Sequence, residues 1–259
     1  MSERSFSQAR PIVVAHRGAP LIEPENTIPS FEAAVAAGAD AVEFDVRLSA
    51  DGLPVILHDA ALDRTTDGHG LARDLTVAEL ARITIPRGDG SPTSVPTLEE
   101  ALRRLSGRVG VDIELKQLPG EPDFDPDVDR LVEATLRTID AVAFVGPVLL
   151  TSFNPFAIDA ARRLAPDVPV GLLTDPSVEA GVALAFAGEH AYDWMLPPVP
   201  RVVEAGGRMV ARAHDAGLRV GTWNTQDPDE ARTLMGWGLD AIATNDPAAI
   251  VAARAAWDG

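Results

Sequence analysis

The stretch Val42-Glu43-Phe44-Asp45-Val46 alternates apolar and acidic residues with the period of a β-strand. That period puts Glu43 and Asp45 on one face and Phe44 on the other. Two carboxylates on one inward face repel each other and lose hydration unless a cation or a shared proton offsets the cost. A third acid, Glu114, lies in Asp112-Ile113-Glu114-Leu115-Lys116. Three hard oxygen donors suit Mg²⁺, Ca²⁺ or Mn²⁺ rather than a soft metal. Arg17 and Lys116 would add the positive charge that holds a phosphate beside such a cation. His16 and His58 titrate near neutral pH and form a candidate acid–base pair. Packing explanations compete residue by residue. A lone histidine at a strand end is usually structural, and Glu43 and Asp45 could cap helices or pair with Arg47 or Lys116. What favours function is convergence, which depends on the elements that carry these residues.

Short β-rich runs alternate with helical patterns along most of the chain. The first run, 12–15, ends on His16-Arg17-Gly18. A helix follows, capped by Asn26 or Thr27, with Pro29 in its first turn and Gly38 beyond its end. The second strand, 41–46, carries Glu43 and Asp45. Residues 53–96 are irregular. They hold a short strand at 55–57 ending on His58-Asp59, a turn-rich loop at 63–70, and a small helix with a Thr76/Glu79 capping box. Thr97 and Glu100 repeat that box before a helix at 98–105. Strands are then predicted at 109–115, 148–152, 168–173, 191–196, 218–223 and 241–244. Helices are predicted at 127–139, 155–164, 177–187, 201–216, 228–237 and 247–257. Eight βα units in this length predict a (β/α)₈ TIM barrel, one domain over 1–259 with a small insertion at about 53–96. A doubly wound open sheet is the alternative. It would want a Gly-rich phosphate loop after strand one, and His-Arg-Gly-Ala-Pro is not one. In a barrel, His16, Arg17, Glu43, Asp45, Glu114 and Lys116 all fall at the C-terminal ends of adjacent strands, where active sites lie. The later strands end on Ser152 and Asn154, Trp194, Trp223 and Asn224, and Thr244 and Asn245.

A net charge of −17 argues against a nucleic-acid partner and against docking on anionic lipid. It leaves room for a small anionic substrate, because a bound cation dominates its local field. The 259 residues include no cysteine, which excludes disulfides and thiolate chemistry. The opening MSERSFSQARP has no apolar core, and no apolar run is long enough to span a bilayer. The expectation is a cytoplasmic chain without membrane insertion.

With these residues in place, the chain resembles the glycerophosphodiester phosphodiesterase family. The resemblance runs from Val13 to about Pro247. It rests on AHRGAP, ENTIPSFEAAVAAGAD, VEFDVRLSADGLPVILHD, LDRTTDGHG, VPTLEEAL, DIELK, TSFN, GTWNT and DAIATNDP. The order and spacing of HRG, E-x-D, HD and E-x-K make the match specific. It implies metal-dependent hydrolysis of a glycerophosphodiester to sn-glycerol 3-phosphate and an alcohol. By resemblance, Glu43, Asp45 and Glu114 hold the divalent cation, and His16 and His58 are the catalytic pair. Arg17 and Lys116 lie near the phosphate, and Glu25 and Asn26 support the site. Trp223 is a candidate substrate contact. Two positions depart from the family pattern: Trp223-Asn224-Thr225-Gln226 where Trp-Thr-x-Asn is usual, and Thr244-Asn245 where Thr-Asp is usual. They bear on the far wall of the pocket and on leaving-group preference. The alternatives are a phospholipase D-like or phosphoinositol-lipid phosphodiesterase on the same barrel, and a non-catalytic phosphate-binding barrel. A lipid-active enzyme would want an apolar rim or a basic surface. Trp194, Trp223 and Phe153 either line a choline-sized pocket or pack the barrel. The roles of Asp59, Gln226 and Asn245 are open at this level.

Overall fold

Strands that are apolar on both faces need cover on both, and eight of them close here into a parallel barrel. The computed structural model describes residue 6 and residues 11–257. The polar opening segment therefore lies outside the described residues, apart from Phe6 and Pro11. The strands are β1 (Ile12–Ala15), β2 (Ala41–Leu48), β3 (Pro54–Ile56), β4 (Thr84–Ile85), β5 (Thr93–Ser94), β6 (Gly110–Leu115), β7 (Val148–Ser152), β8 (Val170–Leu173), β9 (Trp194–Leu196), β10 (Arg219–Thr222) and β11 (Ala241–Thr244). The barrel order is β1-β11-β10-β9-β8-β7-β6-β2, and β1 pairs back onto β2 to close it.

The helices are α1 (Ile28–Ala36), α2 (Val77–Leu80), α3 (Leu98–Leu105), α4 (Asp129–Val142), α5 (Pro155–Leu164), α6 (Ala180–Glu189), α7 (Val199–Ala205), α8 (Gly207–Asp215), α9 (Pro228–Gly236) and α10 (Pro247–Ala255). Outward strand residues such as Phe44, Ile113 and Leu150 pack under this helical shell in one large core. Inward residues, among them Ile12, Val14, Leu149, Trp194 and Leu196, fill the barrel itself. Among the described residues, no helix is long and apolar enough to cross a membrane.

Local signals explain most boundaries. Thr27 caps α1 by accepting from the Ser30 amide, and Gly38 follows its end at φ +82°. Both expected capping boxes form, Thr76 with Glu79 on α2 and Thr97 with Glu100 on α3. The helix expected at 201–216 is two, α7 and α8. Gly206 sits between them at φ +69° and ψ 177°, a conformation that ends one helix and starts the next.

The irregular section after β2 is an insertion with its own small core of Val55, Leu57, Leu62, Ala72, Leu80, Ile85 and Val95. Its strand β3 runs antiparallel to the extended end of β2, pairing Val46 with Ile56 and Leu48 with Pro54. Leu57 and His58 are thereby brought back over the barrel mouth beside Asp45, whose carbonyl accepts from the Leu57 amide at 3.0 Å.

Candidate active site

Strand register places the acids. Glu43 lies abreast of Asp112, and Asp45 abreast of Glu114, across the β2–β6 pair. Ligand oxygens of Glu43, Asp45 and Glu114 all lie within 4.8 Å of one another, and all three residues are buried. Their hydrogen bonds use only part of each carboxylate. The Arg17 amide donates to Glu43 Oε2 at 2.8 Å, and Asn26 Nδ2 donates to Asp45 Oδ2 at 2.8 Å. Glu43 Oε1 and Asp45 Oδ1 are buried without a hydrogen-bond donor. Two such orphaned oxygens facing a third carboxylate fit a hard divalent cation.

The same crowding perturbs protonation. Burial, then the neighbouring Asp45 and Glu114, push Glu43 well above the usual carboxylate range. Burial pushes Glu114 up to about 7, against the pull of Lys116. Burial acts on Asp45 too, but Lys116 and Arg17 outweigh it and hold this carboxyl well below its usual range. Lys116 Nζ sits 2.8 Å from Glu114 Oε1 and 3.6 Å from Asp45 Oδ1. Burial works against its charge, yet these two acids raise its pKa and keep it protonated.

The first loop brings Arg17 into the same place. Arg17 and Asn26 both adopt the left-handed backbone region, at φ 55° and 58°, which costs energy in residues with a Cβ and is common where a site demands it. Gly18 has no alternative residue. Its φ is +88°, and a Cβ there would lie 2.4 Å from Ser30 Oγ. Arg17 reaches Glu25 at 3.0 Å and Asp45 at 3.4 Å, while its Nε has no hydrogen-bond acceptor.

The two histidines differ in their partners. His16 continues β1 past Ala15, which pairs with Thr244, so the ring stands next to the end of β11. Its Nδ1 lies 2.7 Å from Asn245 Oδ1 and 3.1 Å from Asn224 Nδ2. Burial, then Arg17, lower its pKa to about 4. His58 Nδ1 instead lies 2.6 Å from the Asp59 carboxylate. Asp59 is held by Arg64 Nε at 2.5 Å, and Arg64 Nη2 reaches Glu25 at 2.7 Å. Burial lowers the His58 pKa as well, but Asp45 and Asp59 oppose that shift. Asp59 is therefore the orienting partner of His58 rather than a loop cap, a point the sequence left open.

His16, Arg17, Glu43, His58, Glu114 and Lys116 all border one cavity of about 640 Å³ at the C-terminal end of the barrel. Its opposite wall is apolar, with Leu118, Pro119, Phe153, Leu173, Leu196 and Trp223. Trp223 donates its indole N–H to the Leu196 carbonyl at 3.0 Å and meets Phe153 edge to face at 5.4 Å. Trp194 does not share this wall. It is the first residue of β9, buried inside the barrel under the Arg219 guanidinium, 5.1 Å from its ring. It belongs to the barrel floor, one inward layer below Leu196, which borders the cavity. Gln226 is exposed and does not border the cavity.

Two further residues matter to the site, Asp112, which the sequence reading does not single out, and Arg47, which it places against the wrong partners. Asp112 is buried in the cavity wall, accepts from Thr151 Oγ1 at 2.8 Å, and is raised to about 7 by burial. Its signal was present: the alternation that places Glu114 inward also places Asp112 inward. Arg47 is 1% exposed. Its Nε and Nη2 donate to the His58 carbonyl at 3.0 and 2.6 Å, and its guanidinium pairs with Asp123 at 2.6 Å and Glu121 at 2.7 Å. It therefore does not neutralise Glu43 or Asp45. No local pattern announces a contact between residue 47 and the loop after β6.

The profile of the glycerophosphoryl diester phosphodiesterase family matches residues 16–249. The chain belongs to this family. The glycerophosphodiester phosphodiesterase of Caldanaerobacter subterraneus subsp. tengcongensis is 28% identical over 250 residues, covering 93% of this chain and 96% of that protein. The Bacillus subtilis (strain 168) glycerophosphodiester phosphodiesterase is 28% identical over 257 residues, with 93% and 86% covered. Among solved structures, a phosphodiesterase from Oleispira antarctica in complex with the product sn-glycerol 3-phosphate is 30% identical. It superposes with a TM-score of 0.81 over 94% of this chain and 96% of that one. Membership in the family makes the chain a glycerophosphodiester phosphodiesterase, a phosphoric diester hydrolase, and the solved relative shares its barrel.

Proposed function

We propose that this chain hydrolyses glycerophosphodiesters to sn-glycerol 3-phosphate and an alcohol, with Glu43, Asp45 and Glu114 holding Mg²⁺, Ca²⁺ or Mn²⁺. The observation that carries the reading is the buried acid triad, with two oxygens that accept no hydrogen bond, gathered beside a cavity that two histidines and two fixed cations border. When bound, the cation supplies Lewis-acid polarisation of phosphoryl oxygen and acidifies a substrate hydroxyl.

The chain's own groups divide the remaining work. Arg17 and Lys116 bind the nonbridging phosphate oxygens and stabilise the charge that builds on them. His16 is neutral near pH 7, since burial and Arg17 lower its proton affinity, so it accepts the proton of the attacking glycerol 2-hydroxyl. His58, backed by the Asp59 carboxylate, gives a proton to the departing alkoxide. The cyclic phosphate so formed is opened by water, with the two histidines exchanging roles. Trp223 and Phe153 form the wall on the alcohol side. The barrel and its 53–96 insertion act as one domain, since the insertion delivers His58.

The product carried by the Oleispira relative supports this choice of substrate class. The test is a panel of glycerophosphodiesters crossed with Mg²⁺, Ca²⁺ and Mn²⁺, with sn-glycerol 3-phosphate measured as product. Its release with at least one cation is the expected result. No release from any diester with any of the three would refute the reading.

A further inference from the structure

Two neutral amides from the last two barrel strands converge on one nitrogen of His16. Asn245 follows Thr244, which is fully buried and accepts from the His16 amide at 2.9 Å. It precedes Asp246, whose side chain caps α10 by accepting from the Ala249 amide at 3.0 Å. Asn245 is thus held at both neighbours, and its Oδ1 lies 2.7 Å from His16 Nδ1. Asn224 comes from the other side, with Nδ2 at 3.1 Å from the same nitrogen; as a donor it competes for that nitrogen over a longer distance than the Asn245 oxygen. Its neighbours are fixed too, Trp223 through its indole on Leu196 and Thr225 through its amide on the Ala243 carbonyl at 3.2 Å.

We infer that Asn245 is a positioning residue that keeps His16 as the neutral Nδ1–H tautomer and so leaves Nε2 bare to accept a proton. An amide oxygen 2.7 Å from a ring nitrogen accepts that nitrogen's hydrogen. In a neutral imidazole only one nitrogen carries hydrogen, so the partner of Nδ1 decides the state of Nε2. The amide does this without adding charge. The charged and titratable groups that face His16 are Arg17 from its own loop, Asp45 from β2 and His58 from the insertion. β10 and β11 contribute only the two amides. His58 has the opposite arrangement, with a carboxylate on Nδ1. The pair is therefore asymmetric by construction, and the asymmetry resides in Asn245 against Asp59.

The inference rests on the proposed hydrolase reading for its consequence, but not for its first test. In the full chain, long-range ¹H–¹⁵N spectra distinguish the two imidazole tautomers, and His16 is assigned by the signal lost in His16→Gln. The neutral Nδ1–H form is expected, and an Nε2–H tautomer overturns the proposal whether or not the chain turns over any substrate. The second test is kinetic, with glycerophosphocholine and the best of the three cations. Asn245→Ala should lower kcat roughly 10- to 100-fold with KM little changed. Asn245→Asp restores the acceptor but adds a charge, so it should recover much of the turnover while the acid limb of its pH profile moves up by about 1–2 units. Wild-type kcat in Asn245→Ala, or an Asn245→Asp profile that superposes on wild type, would overturn it. A chain with no turnover at all would refute the hydrolase reading and leave the spectroscopic test to decide the tautomer. Circular dichroism of both variants checks that they fold.

Discussion

Arg47 connects three parts of the site, and its removal has a magnitude that follows from the contacts. The side chain is 1% exposed, donates two hydrogen bonds to the His58 carbonyl, and pairs with Asp123 and Glu121 of the loop after β6. Arg47→Met keeps the apolar stem and removes every polar contact. Asp123, 7% exposed, is then left as a charge without its partner. Breaking a buried pair in this way costs about 3–5 kcal/mol. A chain of this length loses roughly 2–4 °C of melting temperature per kcal/mol. The expected drop is therefore roughly 6–20 °C. The His58 main chain also loses its tether, and a displacement near 1 Å at a reacting group costs roughly 10²-fold in rate. Arg47→Lys should fall between, since one ammonium cannot serve a carbonyl and two carboxylates in fork geometry. Cation affinity should be kept, because Arg47 does not touch Glu43, Asp45 or Glu114. Thermal melts, cation titrations and kcat/KM for glycerophosphocholine on the same preparations test all parts. An Arg47→Met chain that melts and turns over like wild type would refute the tether.

The remaining predictions concern protons and the two histidines. His16→Ala and His58→Ala should each lower kcat roughly 10²–10⁴-fold while far-UV circular dichroism stays native; near-wild-type turnover from either removes it from the acid–base pair. Glu114 is raised to about 7 by burial, so it is largely protonated at pH 6, and burial raises Glu43 as well; any proton these carboxyls hold must leave before they ligate a cation. Cation affinity should therefore rise by about tenfold per pH unit for each proton released as pH increases toward 7; calorimetry in buffers of different ionisation enthalpy reads the protons directly, and a pH-independent affinity contradicts the triad. For Asp112 the folded pKa, about 7, lies above its unfolded value. The folded chain thus binds that proton more tightly, and the associated stability is full at low pH and lost as pH rises through about 7. Melts in EDTA should show that loss, and Asp112→Asn should reduce it.

How far the site could be read ahead of the coordinates depended on the range of each interaction. Strand alternation is local, so Glu43, Asp45 and Glu114 were readable as inward acids, and so in principle was Asp112. Caps are local as well, and Thr27, Thr76 and Thr97 all start the helices expected of them. Strand β7 and helix α5 match their expected limits because turn residues bound them on both sides. The break at Gly206 had a local signal, the Gly206-Gly207 pair, which is itself a turn marker inside the amphipathic run 201–216; the φ of +69° at Gly206 is the break it marks. Long-range contacts left no such trace. The Arg47 pairs span 74 and 76 residues, and the Asn245 contact with His16 spans 229. Of the two readings open for Trp194, pocket wall or barrel packing, the structure bears out packing, which the alternation in 191–196 alone does not decide.

The proposed role of Glu43, Asp45 and Glu114 is to hold a divalent cation that phosphodiester hydrolysis needs. The most direct measurement is sn-glycerol 3-phosphate release from glycerophosphocholine through one cycle of exhaustive chelation and cation return, on wild type and Glu43→Gln. Wild-type release should stop on chelation and return with the cation, and Glu43→Gln should release little in either state. Release that continues undiminished after chelation, or a Glu43→Gln chain that cycles like wild type, would contradict that role.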